Sequence, residues 1–511
     1  MVQKSIKKNS VYNIIKLGST ALFSLIAFPY INRILLTENI GKINFGLSIV
    51  SYFSLIATLG VTTYAIRECS KVRDDKAQLS LISRQIFSIN IITTAIAYVL
   101  LAIVLLFYRD LHSYRTLIVI QSLSIIATTV GADWLNSAME DFRYITIKTV
   151  AFQCVSLILM VLLIHKPEDY IKYAVISLIS SSGASVVNIW YRKRYCSIHF
   201  LTRNLAWQKH LMPIIYLFVM LLAQTIFHSV DSTMLGLIHG DHEVGIYSVA
   251  HKTVSMISQI VSSVLWIIMP RMSYYFAKND YTEINALLRK ILGFNMLLGL
   301  PCVVGIFFLA EEVIIIIAGQ AFIDAAPVLQ ILMIGFLLSL VGGNLLGNAI
   351  LLPSRQEKYY MIVCCITAVV NVVGNYIFIP MFGAKAAAGT TAVCSLVILV
   401  LLFLKVDKRI KIVGIKKAVL SPLVGCLGIM VVCWLCKKGL WGETEIRGGV
   451  VSGGIEGIED IESIGGAGTK FIISFIGSIA VYGGIQILMK NELVCDVLVA
   501  AKRRFWGRQA C

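Results

Sequence analysis

The chain has 511 residues, 58% hydrophobic and only 14% charged, with a formal net charge of +17. Soluble proteins carry about 25% charged residues, so this composition excludes a soluble globular protein and points to a chain crossing a membrane many times. The basic excess does not mark nucleic-acid binding, because Lys and Arg sit in short patches between apolar runs, without interleaved aromatics or a soluble domain to carry them.

The first apolar run, 11–36, is too long for a cleaved signal and lacks a small-residue cleavage site, so it reads as a retained span. Pro29 removes a backbone donor and predicts a kink there. Arg33 places a charge that hydrocarbon penalises by about 3 kcal/mol. A plain anchor needs neither, whereas a helix facing a water-filled cavity or another helix accommodates both. Runs of about 20 mostly apolar residues then follow at 42–66, 85–108, 116–136, 144–164, 170–190, 210–236, 244–269, 291–310, 326–350, 359–379, 384–404, 415–436 and 470–489. Several, such as 116–136, carry Ser, Thr and Gly, which suit close packing or a cavity wall. VIIIIAG at 313–319 is too short to span. Residues 437–468 contain GGVVSGGIEGIEDIESIGGAG and read as a flexible external loop.

Most of the 12 cysteines lie inside apolar runs, as membrane packing rather than a disulfide framework. HGDHE at 239–243 lacks a helical ligand face, so neither a metal site nor a cofactor is expected. With the N-terminus inside, 32 of the 45 Lys and Arg fall in cytoplasmic segments and about 10 in external ones. That alternation predicts both termini cytoplasmic and an even number of spans.

IGKINFGLSIVSYFS at 40–54 and VGIYSVAHKTVSMIS at 244–258 align Gly41 with Gly245, Ser51 with Ser255 and Ser54 with Ser258. Shared membrane composition could produce this by chance. As a true repeat it implies two six-helix lobes, 1–209 and 210–410, with a substrate path between them. Two extra helices and a basic cytoplasmic tail occupy 411–511. The expected fold is therefore all-α, with about fourteen transmembrane helices.

Charges within or near the spans are the candidate site. Arg33, Lys252, Lys16 and Lys148 supply positive charge suited to an anionic headgroup such as pyrophosphate, Arg as a bidentate fork and Lys as a point charge. Asp231, with His228 one turn away, and Asp133 with Arg143 are candidates for gating or ion coupling. For Lys16, Asp133 and Arg143 a snorkelling or interfacial position is the alternative. No nucleophile–base pair or phosphate-cradling loop occurs, so catalysis is not expected.

FPYINRIL at 28–35, DWLNSAMEDFRYITIK at 133–148, VDSTMLG at 230–236, EVGIYSVAHK at 243–252 and MPR at 269–271 carry a further signal. Their order along a fourteen-span chain resembles the polysaccharide (Wzx-type) flippases of the MOP exporter superfamily. The resemblance implies a MATE-like pair of lobes around a central cavity in a multi-pass cell-membrane protein. It also implies translocation of undecaprenyl-pyrophosphate-linked oligosaccharide to the outer leaflet for surface polysaccharide export. H+ and Na+ are the candidate coupling ions, and a polysaccharide polymerase and chain-length proteins are candidate partners. A MATE-type drug antiporter and a peptidoglycan-precursor or teichoic-type lipid flippase remain alternatives. The long Gly-rich loop departs from the family pattern.

Overall fold

The computed structural model describes residues 6–200, 206–407, 409–410, 415–438, 456–491 and 493–495, and among these there is no β-strand. Sixteen α-helices are present among the described residues: α1 Ile6–Thr58, α2 Val61–Lys71, α3 Lys76–Phe107, α4 Arg115–Gly131, α5 Trp134–Ala138, α6 Phe142–Leu163, α7 Tyr170–Tyr191, α8 Trp207–Ile238, α9 Asp241–Lys278, α10 Tyr281–Phe308, α11 Ala310–Ala318, α12 Ala325–Ser339, α13 Glu357–Phe382, α14 Ala384–Lys405, α15 Ile415–Lys438 and α16 Glu456–Leu488. A π-helix, Leu340–Leu351, extends α12. The chain divides into two compact units, Met1–Ser248 and Val249–Cys511.

Twelve described runs are long and apolar enough to cross a membrane, the first being Val11–Lys71. That run holds two spans. Leu36 has φ 61°, and no other residue inside Ile6–Thr58 is non-helical. Tyr30 donates to Ile164 O at 3.1 Å and Asn39 to Pro167 O at 2.9 Å, so both sides of Leu36 reach the same turn. The chain folds back there. With α9, 38 residues long, this gives the fourteen spans expected.

Two expectations need correction, and α1 has a break that its sequence does not signal. Pro29 lies inside the helix with helical dihedrals, and the backbone break in α1 lies at Leu36. A proline removes only one donor from the ladder, whereas a left-handed residue reverses the chain. Span two ends at Thr58, because Leu59 (φ 43°) and Gly60 (φ 77°) turn left-handed before α2 begins. The stretch 437–468 is not all loop. Residues 439–455 lie outside the described residues, but α16 starts at Glu456. Ile455, Ile458, Ile461 and Ile464 recur every three residues, a helical spacing, and Glu456 and Glu459 suit a helix N-terminus.

In the first unit, the first half of α1 runs parallel to α6. Thr146 donates to Tyr12 O, Gln153 to Thr20 Oγ1 and Tyr30 to Ile164 O, each pair further along both helices. Its second half packs on α3 and α4 through Asn90 to Ala57 O (2.8 Å) and Gln121 to Ile43 O (3.0 Å). Buried amides and hydroxyls bonded to backbone carbonyls of neighbouring helices satisfy polar groups that lipid could not. The short α2 buries Val61, Tyr64, Ala65 and Cys69, a helical stripe, against Leu79, Ile86, Trp134 and Leu135.

In the second unit, α10 packs on α15 and α12, α13 on α14, and α15 on α16. Asn295 of α10 donates to Leu340 O at 3.1 Å, where the π-helix begins. Asn344, inside the π-helix, donates to Ser262 of α9 at 3.1 Å. Between α13 and α14, the buried Asn371, Asn375, Thr390, Thr367 and Cys394 form a polar ladder inside an otherwise apolar pair.

Candidate functional site

Two polar clusters stand at different levels of the first unit. The first runs from the reversal at Leu36 along the second half of α1, against the end of α8 and the start of α9. Ser51 donates to Ser229 Oγ at 2.9 Å, Tyr52 lies 3.1 Å from Thr233 Oγ1, and Thr233 donates to Ser48 Oγ at 2.8 Å. Asp231, almost fully buried, accepts from Tyr247. Tyr114 donates to Asp241 at 2.7 Å, and the Lys42 ammonium lies 5.6 Å from the centre of the Tyr170 ring.

Backbones approach closely at the Leu36 end of this cluster. A Cβ on Gly41 would lie 1.8 Å from Asp241 O, and one on Gly245 would lie 2.1 Å from Thr37 O. Only glycine fits such an approach. Arg33 is half-buried in the same helix half that leads to this crossing, and Asn32 beside it is fully buried with neither amide atom hydrogen-bonded. Buried polar atoms without partners are rare enough to mark a position with a further role.

The second cluster lies where α4, α6 and α7 meet. Lys148, 7% exposed, donates to one oxygen of Asp133, and Ser185 donates to the other. Lys16 is near enough for its charge to act on Lys148. Asp141 accepts from both Tyr191 and Tyr195, and Tyr144 stacks on Tyr191 with ring centres 3.4 Å apart. Arg192, also buried, donates to Val130 O at 2.6 Å and stands over the Phe87 ring. Arg73 and Glu140 pair at 2.8 Å.

Of the residues singled out from sequence, the structure therefore brings Lys148 and Asp133 together as an ion pair, with Lys16 near. Arg143 is exposed on α6. Lys252 is exposed along α9 in the second unit. The His228 side chain lies outside the described residues. No group of three or more metal-ligating side chains occurs among the described residues.

Sequence reasoning missed Tyr247, Asp141, Tyr191, Arg192 and Asn32. Tyr247, Asp141 and Asn32 lie inside the motifs already quoted, but Tyr247 meets its partner only on the neighbouring helix and Asp141 meets partners 50 and 54 residues away. A further buried triad was also missed: Tyr64 Oη lies 2.7 Å from His210 Nδ1, and His210 Nε2 lies 3.1 Å from Gln85 Oε1. The neutral Nε2–H tautomer satisfies all three groups.

These features define a multi-pass membrane protein, helical and without strands among the described residues, with polar clusters held inside helix pairs. The sequence model of the family described as Polysaccharide biosynthesis protein matches residues 6–276, and the chain belongs to that family. The model described as Lipid II flippase MurJ matches 244–446. Among relatives, the Escherichia coli (strain K12) protein described as "Putative O-antigen transporter" is 22% identical over 417 residues, covering 79% of this chain and 98% of its own. Capsular polysaccharide biosynthesis protein CapF of Staphylococcus aureus is 20% identical, covering 77% and 97%. The fold is similar to that of lipid II flippase MurJ in an inward closed conformation, with TM-score 0.67, 13% identity and coverage of 96% and 99%. It is also similar to an inward-facing multidrug resistance MATE family transporter of the MOP superfamily, with TM-score 0.59, 14% identity and coverage of 76% and 96%.

Proposed function

We propose that the protein is a flippase that moves undecaprenyl-pyrophosphate-linked oligosaccharide from the cytoplasmic to the outer leaflet of the cell membrane, for surface polysaccharide export. The observation that carries this reading is the family match over residues 6–276. A relative matched over nearly its whole length and bearing an O-antigen transporter description supports it. The intramembrane cations Arg33 and Lys252 suit a pyrophosphate headgroup, which a drug-cation exporter would not require. The protein transports its substrate and does not chemically alter it.

Transport proceeds in this reading by alternating access between two six-helix repeats, 1–209 and 210–410, with both termini cytoplasmic. Asp231 serves gating or coupling, with H+ or Na+ as the coupling ion, and a polysaccharide polymerase and chain-length proteins receive the product. Deletion should leave lipid-linked glycan on the inner leaflet without changing drug sensitivity. Altered drug sensitivity with normal glycan export would favour the MATE-type alternative, to which the second structural likeness corresponds. Impermeant cysteine labelling should find 67–84 and 191–209 inside; an external label on 191–209 would overturn the orientation.

A further inference from the structure

A cavity of about 660 Å³ opens in the second unit between α13 and α14. One wall is Val369, Val373 and Ile377, spaced by four on one face of α13, and ends at Phe382. All four are more than half exposed, as a surface facing lipid tails would be. From Val369 to Phe382 the wall runs ~20 Å at the helical rise. One leaflet of hydrocarbon is ~15 Å deep. The groove therefore runs about 5 Å past the depth of one leaflet and stops well short of the full core.

The opposite wall, on α14, is shaped by Gly389, whose Cβ would meet nothing within 4 Å. Thr390 also lines the groove, but its hydroxyl is occupied by Asn375 and Ala387 O, so the middle of the groove offers no spare donor. Its single charge is Lys385, exposed and two residues beyond the turn at Gly383 (φ 54°), with no hydrogen bond or ion pair among the described residues. An aliphatic slot shorter than the full hydrocarbon core, with a lone cation at its mouth, is complementary to a single-chain tail under an anionic headgroup. The chain would lie in the slot and the phosphate on the ammonium.

We propose that this groove binds one anionic glycerophospholipid, with an acyl chain between α13 and α14 and its phosphate on Lys385. The short groove suits an ordinary acyl chain better than a long isoprenoid. The orientation proposed above makes the leaflet the outer one; nothing else in the proposal rests on that reading.

The test is native mass spectrometry of the full chain in detergent with phosphatidylglycerol, phosphatidylcholine or undecaprenyl phosphate. Wild type should retain phosphatidylglycerol over phosphatidylcholine by about fivefold, the effect of one Lys at a membrane surface. Lys385→Gln should abolish the preference. Gly389→Ala and Gly389→Leu should weaken retention of both phospholipids in graded order, with unchanged melting temperature showing that the fold persists. Equal retention by all variants would overturn the proposal, as would a loss confined to Lys385→Gln. Displacement of phosphatidylglycerol from wild type by an equal amount of undecaprenyl phosphate would also overturn it, because the site would then belong to the isoprenoid carrier. None of these readouts requires transport, so their failure leaves the proposed function standing.

Discussion

Gly41 and Gly245 make the same contact in reciprocal form. Each brings its Cα against a backbone carbonyl four residues before the other glycine, Gly41 against Asp241 and Gly245 against Thr37. Reciprocity of this kind is what a local two-fold relation between the two segments produces.

Neither contact can be relieved by a side-chain rotation, because the opposing atom is a backbone oxygen. Gly41→Val and Gly245→Val should each lower the melting temperature in detergent, by an overpacking cost of about 1–3 kcal/mol. Each should also reduce glycan export at least tenfold. Gly18→Ala, where a Cβ meets nothing within 4 Å, should change neither. Normal export by both valine variants would separate the crossing from transport.

Lys148 and Asp133 are unequal partners, their side chains being 7% and 41% exposed. Removing the carboxylate strands a buried ammonium, whereas removing the ammonium leaves a carboxylate that water still reaches and Ser185 still bonds. Asp133→Asn should therefore destabilise more than Lys148→Met, by at most about 3 kcal/mol given the exposure of the acid. The double variant should recover most of the loss. Thermal unfolding checks this, and export measured on the stable Lys148→Met variant decides whether the ammonium also meets substrate.

Arg33→Ala and Lys252→Ala should abolish export while the protein still reaches the membrane. Arg33→Lys should keep partial export where charge suffices and little where the bidentate fork is required. If Arg33 and Asp231, each near the outer end of the first helix of its proposed repeat, pair as an external gate, a charge swap should show it: Arg33→Asp and Asp231→Arg each fail, and the pair together restores closure to impermeant labels while transporting poorly. Full export by both alanine variants removes these cations from the mechanism.

At the end of α14, hydrogen bonds from the Arg409 side chain and backbone hold the Asp407 carboxyl well down, to about 2. A depressed carboxylate stabilises its turn above its unfolded pKa of about 3.9, and that contribution is lost as pH falls through the folded value. A spin label at Val406, in a background freed of reactive cysteines, should show constant mobility from pH 8 to pH 4 and loosening only towards pH 2. Asp407→Asn should be loose throughout.

The number of spans was legible from the sequence because hydrocarbon enforces it: each crossing needs about 20 apolar residues whatever they pack against. The motifs that place the chain in its family were legible too, and with them Asp133, Asp231 and the paired glycines. What the sequence could not carry was which groups meet. Leu36 is an ordinary apolar residue whose left-handed dihedral follows from the turn at Ile164 and Pro167 reached from both its sides. Pro29, the louder local signal, stays helical. Lys148 reads as a headgroup cation, but a buried charge also takes the nearest partner that offsets its desolvation, and the start of α5 and α7 deliver Asp133 and Ser185 to it. Asp231 likewise acquires Tyr247 only when α8 and α9 pack side by side. Periodicity and hydropathy are local along the chain, and desolvation of a polar group is settled by its neighbours in space. The sequence by itself therefore determined the spans and the family, and only the tertiary structure decided the pairing of the charges.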